Sequence, residues 1–286
     1  MICFPNAKIN IGLNIIRKRE DGYHDIESIM YPLKGIVYDA LEIIQSSEFG
    51  VQSSGIKIPG DEKNNLCVKA YHLIAKDYPL PPIKIYLHKA IPIGAGLGGG
   101  SADGAFMIRL LNDEFKLGLA WGEMHHYARQ LGSDCSFFIS NQPVFAEGKG
   151  DELEPVQLSL SNYHIAVVYP NIHINTAEAY REMDEGQGTR DEGKKQLIEL
   201  IKLPIEKWKG NIVNDFEEAI FPKQPEIKKI KEKLYSLGAL YASMSGSGSA
   251  VYGIFNPLDR RPTGFKKETK VKKYFRKLQV WEGKLT

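Results

Sequence analysis

The sequence predicts an α+β fold, because runs with strand periodicity and runs with helix periodicity both occur in it. They do not alternate in the regular strand–helix rhythm that a doubly wound sheet requires. The length of 286 residues is enough for two domains. Charges, glycines and a proline in "AEGKGDELEPV" indicate a boundary, so we predict domains over residues 1–155 and 156–286.

The first half of the chain is predicted to begin with a strand over residues 7–16. Ile9 and Ile11 alternate with Lys8 and Asn10, which predicts one buried and one polar face. A polar Asp-Gly turn follows over 17–25. The further elements expected are strands over 28–33, 39–44 and 83–89 and an amphipathic helix over 65–78.

Helices are predicted in the segments that follow. Apolar residues all round residues 102–115 indicate a buried helix, and a helix over 121–132 is expected to end at Gly132. The remaining elements expected are a buried strand over 163–170, helices over 214–221 and 225–238, and a small-residue loop that runs into a strand over 243–255.

Composition and charge exclude several classes of protein. Hydrophobic residues make up 43% and charged residues 25%, with a net charge of +2, so neither a nucleic-acid nor a membrane partner is expected. The N-terminus "MICFPNAKIN" lacks the charged and apolar regions of a signal peptide. The three cysteines lie far apart without a CxxC pair, which favours a reducing cytoplasm over a disulfide framework or a zinc site.

The segment "PIGAGLGGGSADGAF", residues 92–106, carries the strongest functional signal. Glycine permits positive φ and lets a ligand approach the backbone closely. A helix that begins near Ser101 would add free N–H groups and the positive end of its dipole. The segment therefore predicts an anion site, and phosphate is the usual occupant of such a site.

Three other interpretations fit this loop less well. A Walker A loop needs a lysine, and no lysine lies between Pro92 and Phe106. Gly94, Gly96 and Gly99 satisfy the dinucleotide pattern GxGxxG, but the segment after the helix is unlike the strand that a Rossmann fold requires. A turn that only packs helix on strand needs fewer glycines than this.

The loop resembles the phosphate loop of the GHMP small-molecule kinases, which reads Pro-x-x-x-Gly-Leu-Gly-Gly-Gly-Ser. Other motifs follow in the family's order: "AKINIGLNIIRKREDGYHDIES", "LGSDCSFFI", "AEGKGDELEP", "NDFE" and "SMSGSGSAVYGIF". The resemblance implies a two-domain GHMP kinase fold, with an N-terminal domain like ribosomal protein S5 domain 2 and a ferredoxin-like C-terminal domain. Asp103, Cys135 and Ser136 depart from residues common in the family, which are asparagine, valine and proline.

The Asp-Gly-Tyr-His turn, together with the other motifs, narrows the resemblance to one branch of the superfamily. That branch uses ATP to phosphorylate the 2-hydroxyl of a cytidine diphosphate sugar-alcohol in the non-mevalonate isoprenoid precursor pathway. The alternatives are a GHMP kinase for mevalonate, homoserine or a sugar, and a GHMP-fold ligand sensor without catalysis. A nucleobase-stacking turn disfavours the first alternative, and the presence of both Lys8 and Asp134 disfavours the second.

The resemblance implies that Lys8 and Asp134 are the catalytic pair. Asp134 would accept or orient the proton of the acceptor hydroxyl, and Lys8 would keep Asp134 ionised and stabilise the transferring charge. On their residue types alone, Lys8 fits a strand residue facing water equally well, and Asp134 fits a helix N-cap.

The resemblance also implies the binding residues. Ser101 would hold Mg²⁺, and Asn65 would contact adenine. The remaining ATP-binding residues are Pro92, Ile93, Gly94, Ala95, Gly96, Leu97, Gly98, Gly99, Gly100, Ser101 and Ala102. The substrate-binding residues are Asn10, Tyr23, His24, Thr176 and Tyr180. Without a ligand, Tyr23 and His24 would be residues at the tip of a hairpin, and Tyr180 would be a core residue.

Overall fold

The computed structural model describes residues 1–184, 194–257 and 269–285. In this part of the chain the strands are β1 (Ile2–Cys3), β2 (Lys8–Lys18), β3 (His24–Pro32), β4 (Ala40–Gln45), β5 (Gly50–Gly55), β6 (Ile83–Lys89), β7 (Val144–Glu147), β8 (Glu152–Pro155), β9 (His164–Tyr169), β10 (Tyr241–Met244), β11 (Val251–Phe255) and β12 (Gln279–Lys284). The α-helices are α1 (Leu66–Ile74), α2 (Gly99–Phe115), α3 (Trp121–Leu131), α4 (Ser133–Ser140), α5 (Thr176–Asp184), α6 (Lys194–Leu200), α7 (Phe216–Lys223), α8 (Pro225–Ser236) and α9 (Lys270–Tyr274). Single 3₁₀ turns occupy Glu62–Asn64 and Ile205–Lys207.

The chain forms two compact units built from interleaved segments. The first comprises residues 1–8, 37–93 and 98–142, and the second comprises residues 9–36, 94–97 and 143–286. The mixture of sheets and packed helices confirms the α+β class. The predicted domain boundary after residue 155 stays a prediction.

The first unit contains a sheet with the strand order β1-β4-β6-β5. Strands β4 and β6 are antiparallel, with Leu41 opposite Leu87, and β5 runs parallel to β6. The alternating apolar residues of β6 are buried, as the sequence predicts. Helix α2 contacts α1, α3 and α4, and its consecutive residues Leu110 and Leu111 are both buried. The prediction of a buried helix is therefore confirmed.

The second unit contains two four-stranded sheets, ordered β2-β3-β7-β8 and β10-β11-β9-β12. In the second of these sheets all the pairs are antiparallel. Helix α8 packs on β10 and β11, and its residues Ile227, Ile230 and Leu234 are buried. These side chains join a core that also contains Phe216 and Val251.

One prediction about local structure is wrong. The polar face of β2 is buried as well as its apolar face: Lys8 is 4% exposed and Asn10 is 2% exposed. The segment over 146–156 contributes to the antiparallel pair β7 and β8. Strand β5 was not predicted, because its sequence "GVQSSG" is polar and mostly exposed at a sheet edge. Among the described helices, none is long and apolar enough to cross a membrane.

Candidate active site

The first part of the glycine loop, residues 94–97, lies against a second loop of small residues in the second unit. Gly96 has φ of 77°, and a Cβ placed on it would lie 1.8 Å from the carbonyl oxygen of Ser245. The Ser245 hydroxyl donates a hydrogen bond to the Gly96 carbonyl at 2.8 Å. The Ala250 N–H donates to the Ala95 carbonyl at 3.1 Å. Only glycine fits at position 96, since both the torsion and the space exclude a side chain.

The loop that supports Gly96 is itself held by two asparagines. The backbone N–H of Asn10 donates to the Ser245 hydroxyl at 3.2 Å. The amide of Asn214 donates to the carbonyls of Met244 and Gly246, at 2.9 and 2.8 Å. The "SGSGS" segment is therefore a fixed support for the glycine loop.

The second part of the glycine loop forms the start of α2 in the first unit. Gly98 is the N-cap residue, in the left-handed region with φ of 70°, and the helix begins at Gly99, two residues before the predicted start. The N–H groups of the first helical turn have no acceptor within a helix. A Cβ at Gly100 would meet no protein atom within 4 Å, and Gly100 is exposed. This backbone can therefore receive an anion without hindrance from side chains.

Lys8 and Asp134 come together within the first unit. Lys8 is the first residue of β2, and Asp134 lies in the first turn of α4. The Lys8 Nζ and Asp134 Oδ2 atoms are 3.4 Å apart, and the side chains are 5% and 29% exposed. Lys8 therefore does not face water. Asp134 is not an N-cap either, because Gly132 occupies that position.

Ser101 lies in the first turn of α2 with its side chain half-buried. Burial raises the pKa of the Cys135 thiol to about 12, although a hydrogen bond with Ser101 opposes this shift. Cys135 is therefore a protonated, unreactive thiol at neutral pH, and Ser101 has the only hydroxyl of the predicted phosphate loop.

Asn65 forms the N-cap of α1, where its Oδ1 atom accepts a hydrogen bond from the Cys67 N–H at 2.9 Å. It also lines a cavity of about 350 Å³ in the first unit. The other lining residues are Val51, Ser53, Ser54, Gly55, Ile56, Lys57, Ile58, Gly60, Asp61 and Glu62. The cavity has both apolar walls and polar groups, as a flat heterocycle requires.

Three of the predicted substrate residues are aromatic residues of the second unit, and two of them stack on each other. The rings of His24 and Tyr180 stack, with centroids 4.6 Å apart and planes 12° apart. Tyr180 also meets the edge of Phe216 at 4.8 Å. Tyr23 is 61% exposed, and the Lys149 ammonium lies 4.9 Å from the centre of its ring. Tyr180 therefore packs against the core of the second unit and also stacks on His24.

The other two predicted substrate residues differ in accessibility. Thr176 begins α5 and is exposed, with its hydroxyl 2.8 Å from that of Ser247. Asn10 is buried, and its amide donates to the Ser28 hydroxyl at 2.8 Å. Thr176 and Ser247 therefore offer two adjacent hydroxyls to a ligand, whereas Asn10 also has a structural role.

A buried ionic cluster next to the glycine loop was not predicted. It consists of Asp39, Lys89 and Asp103, which we call the Lys89 cluster. The Lys89 ammonium donates to both carboxylates, at 2.6 Å to Asp103, and the N–H groups of Ala90 and Ile91 donate to Asp39 at 2.6 and 2.9 Å. Burial raises the pKa of Asp103 to about 8. Burial opposes the charge on Lys89, but the two carboxylates raise its pKa above the ordinary value.

The alternation of β6 contains a signal for this cluster. Lys89 continues the phase of Ile85 and Leu87, which are buried. Asp39 lies two residues before Leu41, on the same face of the sheet. Because Leu41 is opposite Leu87 in the antiparallel pair, the register places Asp39 opposite Lys89. A charged residue in the buried phase of a strand needs a partner of opposite charge.

Two protein-family models match the chain. The model described as GHMP kinases N terminal domain matches residues 65–149, and the one described as GHMP kinases C terminal matches residues 197–277. The two matches define a kinase of the GHMP class. The predicted GHMP kinase fold is therefore confirmed.

Similar proteins narrow the class further. A relative from Parabacteroides distasonis, named 4-diphosphocytidyl-2-C-methyl-D-erythritol kinase, is 47% identical over 286 residues and covers all of both chains. One of the same name from Azobacteroides pseudotrichonymphae is 52% identical over 264 residues, covering 92% of this chain and 96% of its own. A crystal structure of 4-(cytidine 5'-diphospho)-2C-methyl-D-erythritol kinase superimposes with a TM-score of 0.77 at 27% identity, covering 99% and 98% of the two chains. The chain belongs to this family of GHMP kinases, and its phosphoryl donor is ATP.

The close approach at Gly96 gives a prediction about stability. Gly96→Ala will lower the free energy of unfolding by at least about 2 kcal/mol, because the methyl group collides with backbone in a strained conformation. Gly100→Ala is the matched control and will leave the stability unchanged, since its Cβ has open space. Denaturant unfolding of both variants measures the difference. Equal stabilities would contradict the described contact at Gly96.

Proposed function

We propose that this protein transfers the γ-phosphoryl group of ATP to the 2-hydroxyl of 4-diphosphocytidyl-2-C-methyl-D-erythritol, in the non-mevalonate isoprenoid precursor pathway. The observation that carries the proposal is the pairing of Lys8 with Asp134, 3.4 Å apart, in a chain that also holds a glycine loop opening a helix. The names of its relatives support the choice of acceptor. Dependence on ATP supports a cytoplasmic location.

The phosphates of ATP would bind to the backbone of residues 92–102. The N–H groups at the start of α2 and the helix dipole favour a polyanion there. Adenine would occupy the cavity that Asn65 lines. Mg²⁺ would be held by the Ser101 hydroxyl together with phosphate oxygens, and would neutralise charge on the transferring group. A single protein hydroxyl fits this ion, which usually keeps several waters and phosphate ligands.

The catalytic pair would divide the remaining work. The acceptor oxygen forms the new O–P bond, the bond from the γ-phosphorus to its leaving oxygen breaks, and Asp134 takes the hydroxyl proton. Lys8 stands beside the carboxylate, where its positive charge would offset negative charge on the phosphoryl oxygens. Because Lys8 is buried, its position is well defined and its charge is weakly screened.

The cytidine group would bind at the aromatic residues of the second unit. Tyr23 and Tyr180 offer ring faces for a base, and the imidazole of His24 can hydrogen-bond the base edge. Thr176 and Asn10 would contact the polar remainder of the acceptor. Mevalonate, homoserine and galactose contain no base to stack, so this aromatic group favours the cytidine compound over them.

The choice of acceptor is tested by an assay with purified protein. ADP release from ATP and Mg²⁺ is measured with 4-diphosphocytidyl-2-C-methyl-D-erythritol, mevalonate, homoserine or galactose as acceptor. We expect turnover with the cytidine compound alone. Release only with one of the other three would identify a different GHMP kinase, and ATP binding without turnover on any of them would favour a sensor.

The catalytic role of Asp134 is tested by Asp134→Asn. The amide retains size and shape but cannot take a proton, so we expect kcat to fall about 10²- to 10⁴-fold while ATP binding persists. Calorimetric titration with a non-hydrolysable ATP analogue provides the binding measurement. Turnover like that of the unsubstituted protein would remove Asp134 from the mechanism.

The base-reading role of His24 is tested by His24→Ala. This change removes the stacked imidazole, so KM for the cytidine substrate should rise about tenfold or more while KM for ATP stays nearly constant. Tyr180→Phe keeps the ring that stacks on His24, and should affect KM much less. A parallel rise of both KM values in His24→Ala would count against the assignment.

A further inference from the structure

We propose that Lys89 is a positioning residue for the nucleotide phosphates: its ammonium, held between Asp39 and Asp103, fixes the start of α2. The inference rests on the proposed binding of ATP phosphates at that helix start. It assigns a task in the reaction to a buried lysine that lies outside the residues proposed to bind the nucleotide and the acceptor. Asp39, Lys89 and Asp103 all belong to the first unit.

The first step concerns the chain that leads into the glycine loop. Lys89 is the last residue of β6, and Ala90 and Ile91 connect it to Pro92. The Asp39 carboxylate accepts the N–H groups of Ala90 and Ile91 through one oxygen and faces the Lys89 ammonium with the other. Asp39 therefore fixes three consecutive residues immediately before the loop.

The second step concerns the helix that leaves the loop. Asp103 is the fifth residue of α2, and its Oδ2 atom accepts a hydrogen bond from Lys89 at 2.6 Å. A Cβ at Gly99 would lie 3.3 Å from the Lys89 Nζ atom and 2.8 Å from Ile91. The backbone at the first residue of α2 thus packs directly on the cluster. Lys89 connects the entry and the exit of the loop.

The third step concerns energy. The side chains of Lys89, Asp39 and Asp103 are 1%, 0% and 4% exposed, so each charge depends on its partners for stabilisation. The second carboxylate oxygen of Asp103 has no hydrogen-bond partner among the described residues. Without Lys89, Asp39 and Asp103 would each lose a buried hydrogen-bond donor, and a buried acceptor left without its donor is costly. The two side chains would rearrange, which would displace the helix start that packs on them and the N–H groups that a phosphate would contact.

The experiment compares Lys89→Met with Ile43→Ala. Ile43 is buried in the same sheet and belongs to neither the loop nor the cluster, so its substitution controls for lost stability. Affinity for a non-hydrolysable ATP analogue is measured by calorimetry, and KM is measured for both substrates. We expect Lys89→Met to weaken nucleotide binding about tenfold or more, equivalent to about 1.4 kcal/mol, with an unchanged KM for the acceptor. Ile43→Ala should lower the melting temperature alone.

A second pair of variants keeps the test decisive if Lys89→Met does not fold. Asp103→Asn retains an oxygen that can accept from Lys89, whereas Asp103→Leu has nearly the same size and no acceptor. We expect nucleotide binding to weaken more in Asp103→Leu than in Asp103→Asn. Equal affinities in this pair, or nucleotide affinity in Lys89→Met matching that of Ile43→Ala, would overturn the positioning role.

The outcomes also separate this inference from the proposed function. If the unsubstituted protein binds the ATP analogue but phosphorylates none of the acceptors tested, the proposed function fails, and the calorimetric comparison still decides the role of Lys89. If the protein phosphorylates the cytidine compound and Lys89→Met binds nucleotide normally, the inference alone fails.

Discussion

Lys8 is buried at the start of a strand, and a buried ammonium requires an opposite charge close to it. Asp134 supplies that charge from the first turn of α4, with 3.4 Å between the charged atoms. The neighbours of both residues are fixed by packing, since Ile9 and Phe137 are fully buried. Because the Lys8 ammonium is stable in a buried position only beside an opposite charge, Lys8 and Asp134 stay together. These are the two groups proposed to carry out phosphoryl transfer. The pair is partly open on its carboxylate side, where an acceptor hydroxyl has access.

The glycine loop imposes the second constraint. A backbone that binds phosphates must present N–H groups without side chains in front of them. In this chain that requirement is met by Gly98 in the left-handed region and by the exposed Gly100. Gly96 meets a different requirement, since it makes room for Ser245 and not for a ligand. Glycines in one short motif therefore serve ligand binding and internal packing separately.

The sequence was informative where a pattern has one physical cause. Alternation located β2 and β6, and continuous apolar character located the buried helix α2. It was less informative where two different structures favour the same residue types. The charges and glycines around 144–155 suit a linker, but they also suit the tight turn between β7 and β8. Strand β5 has no apolar phase, because it lies at an edge and is mostly exposed.

Some residues of the site could also be predicted from the sequence, and others could not. Hydrophobic periodicity does not identify Lys8 or Asp134 as functional residues. Their pairing was predicted from the resemblance of several motifs to one family. Alternation assigned Lys8 to a polar face, but it does not reveal that this face is covered as well. Lys89 was predictable in principle, since it lies in the apolar phase of β6. Its partner Asp103 was not predictable. Helix α2 has no separate polar and apolar faces, so its sequence does not show that a charged residue at position 103 is buried.

The most direct measurement of the central claim is a crystal structure with a non-hydrolysable ATP analogue and 4-diphosphocytidyl-2-C-methyl-D-erythritol both bound. We expect the Asp134 carboxylate within about 2.6–3.2 Å of the acceptor's 2-hydroxyl, with the Lys8 ammonium beside the terminal phosphate. An acceptor hydroxyl far from Asp134, or a triphosphate bound away from residues 92–102, would contradict it.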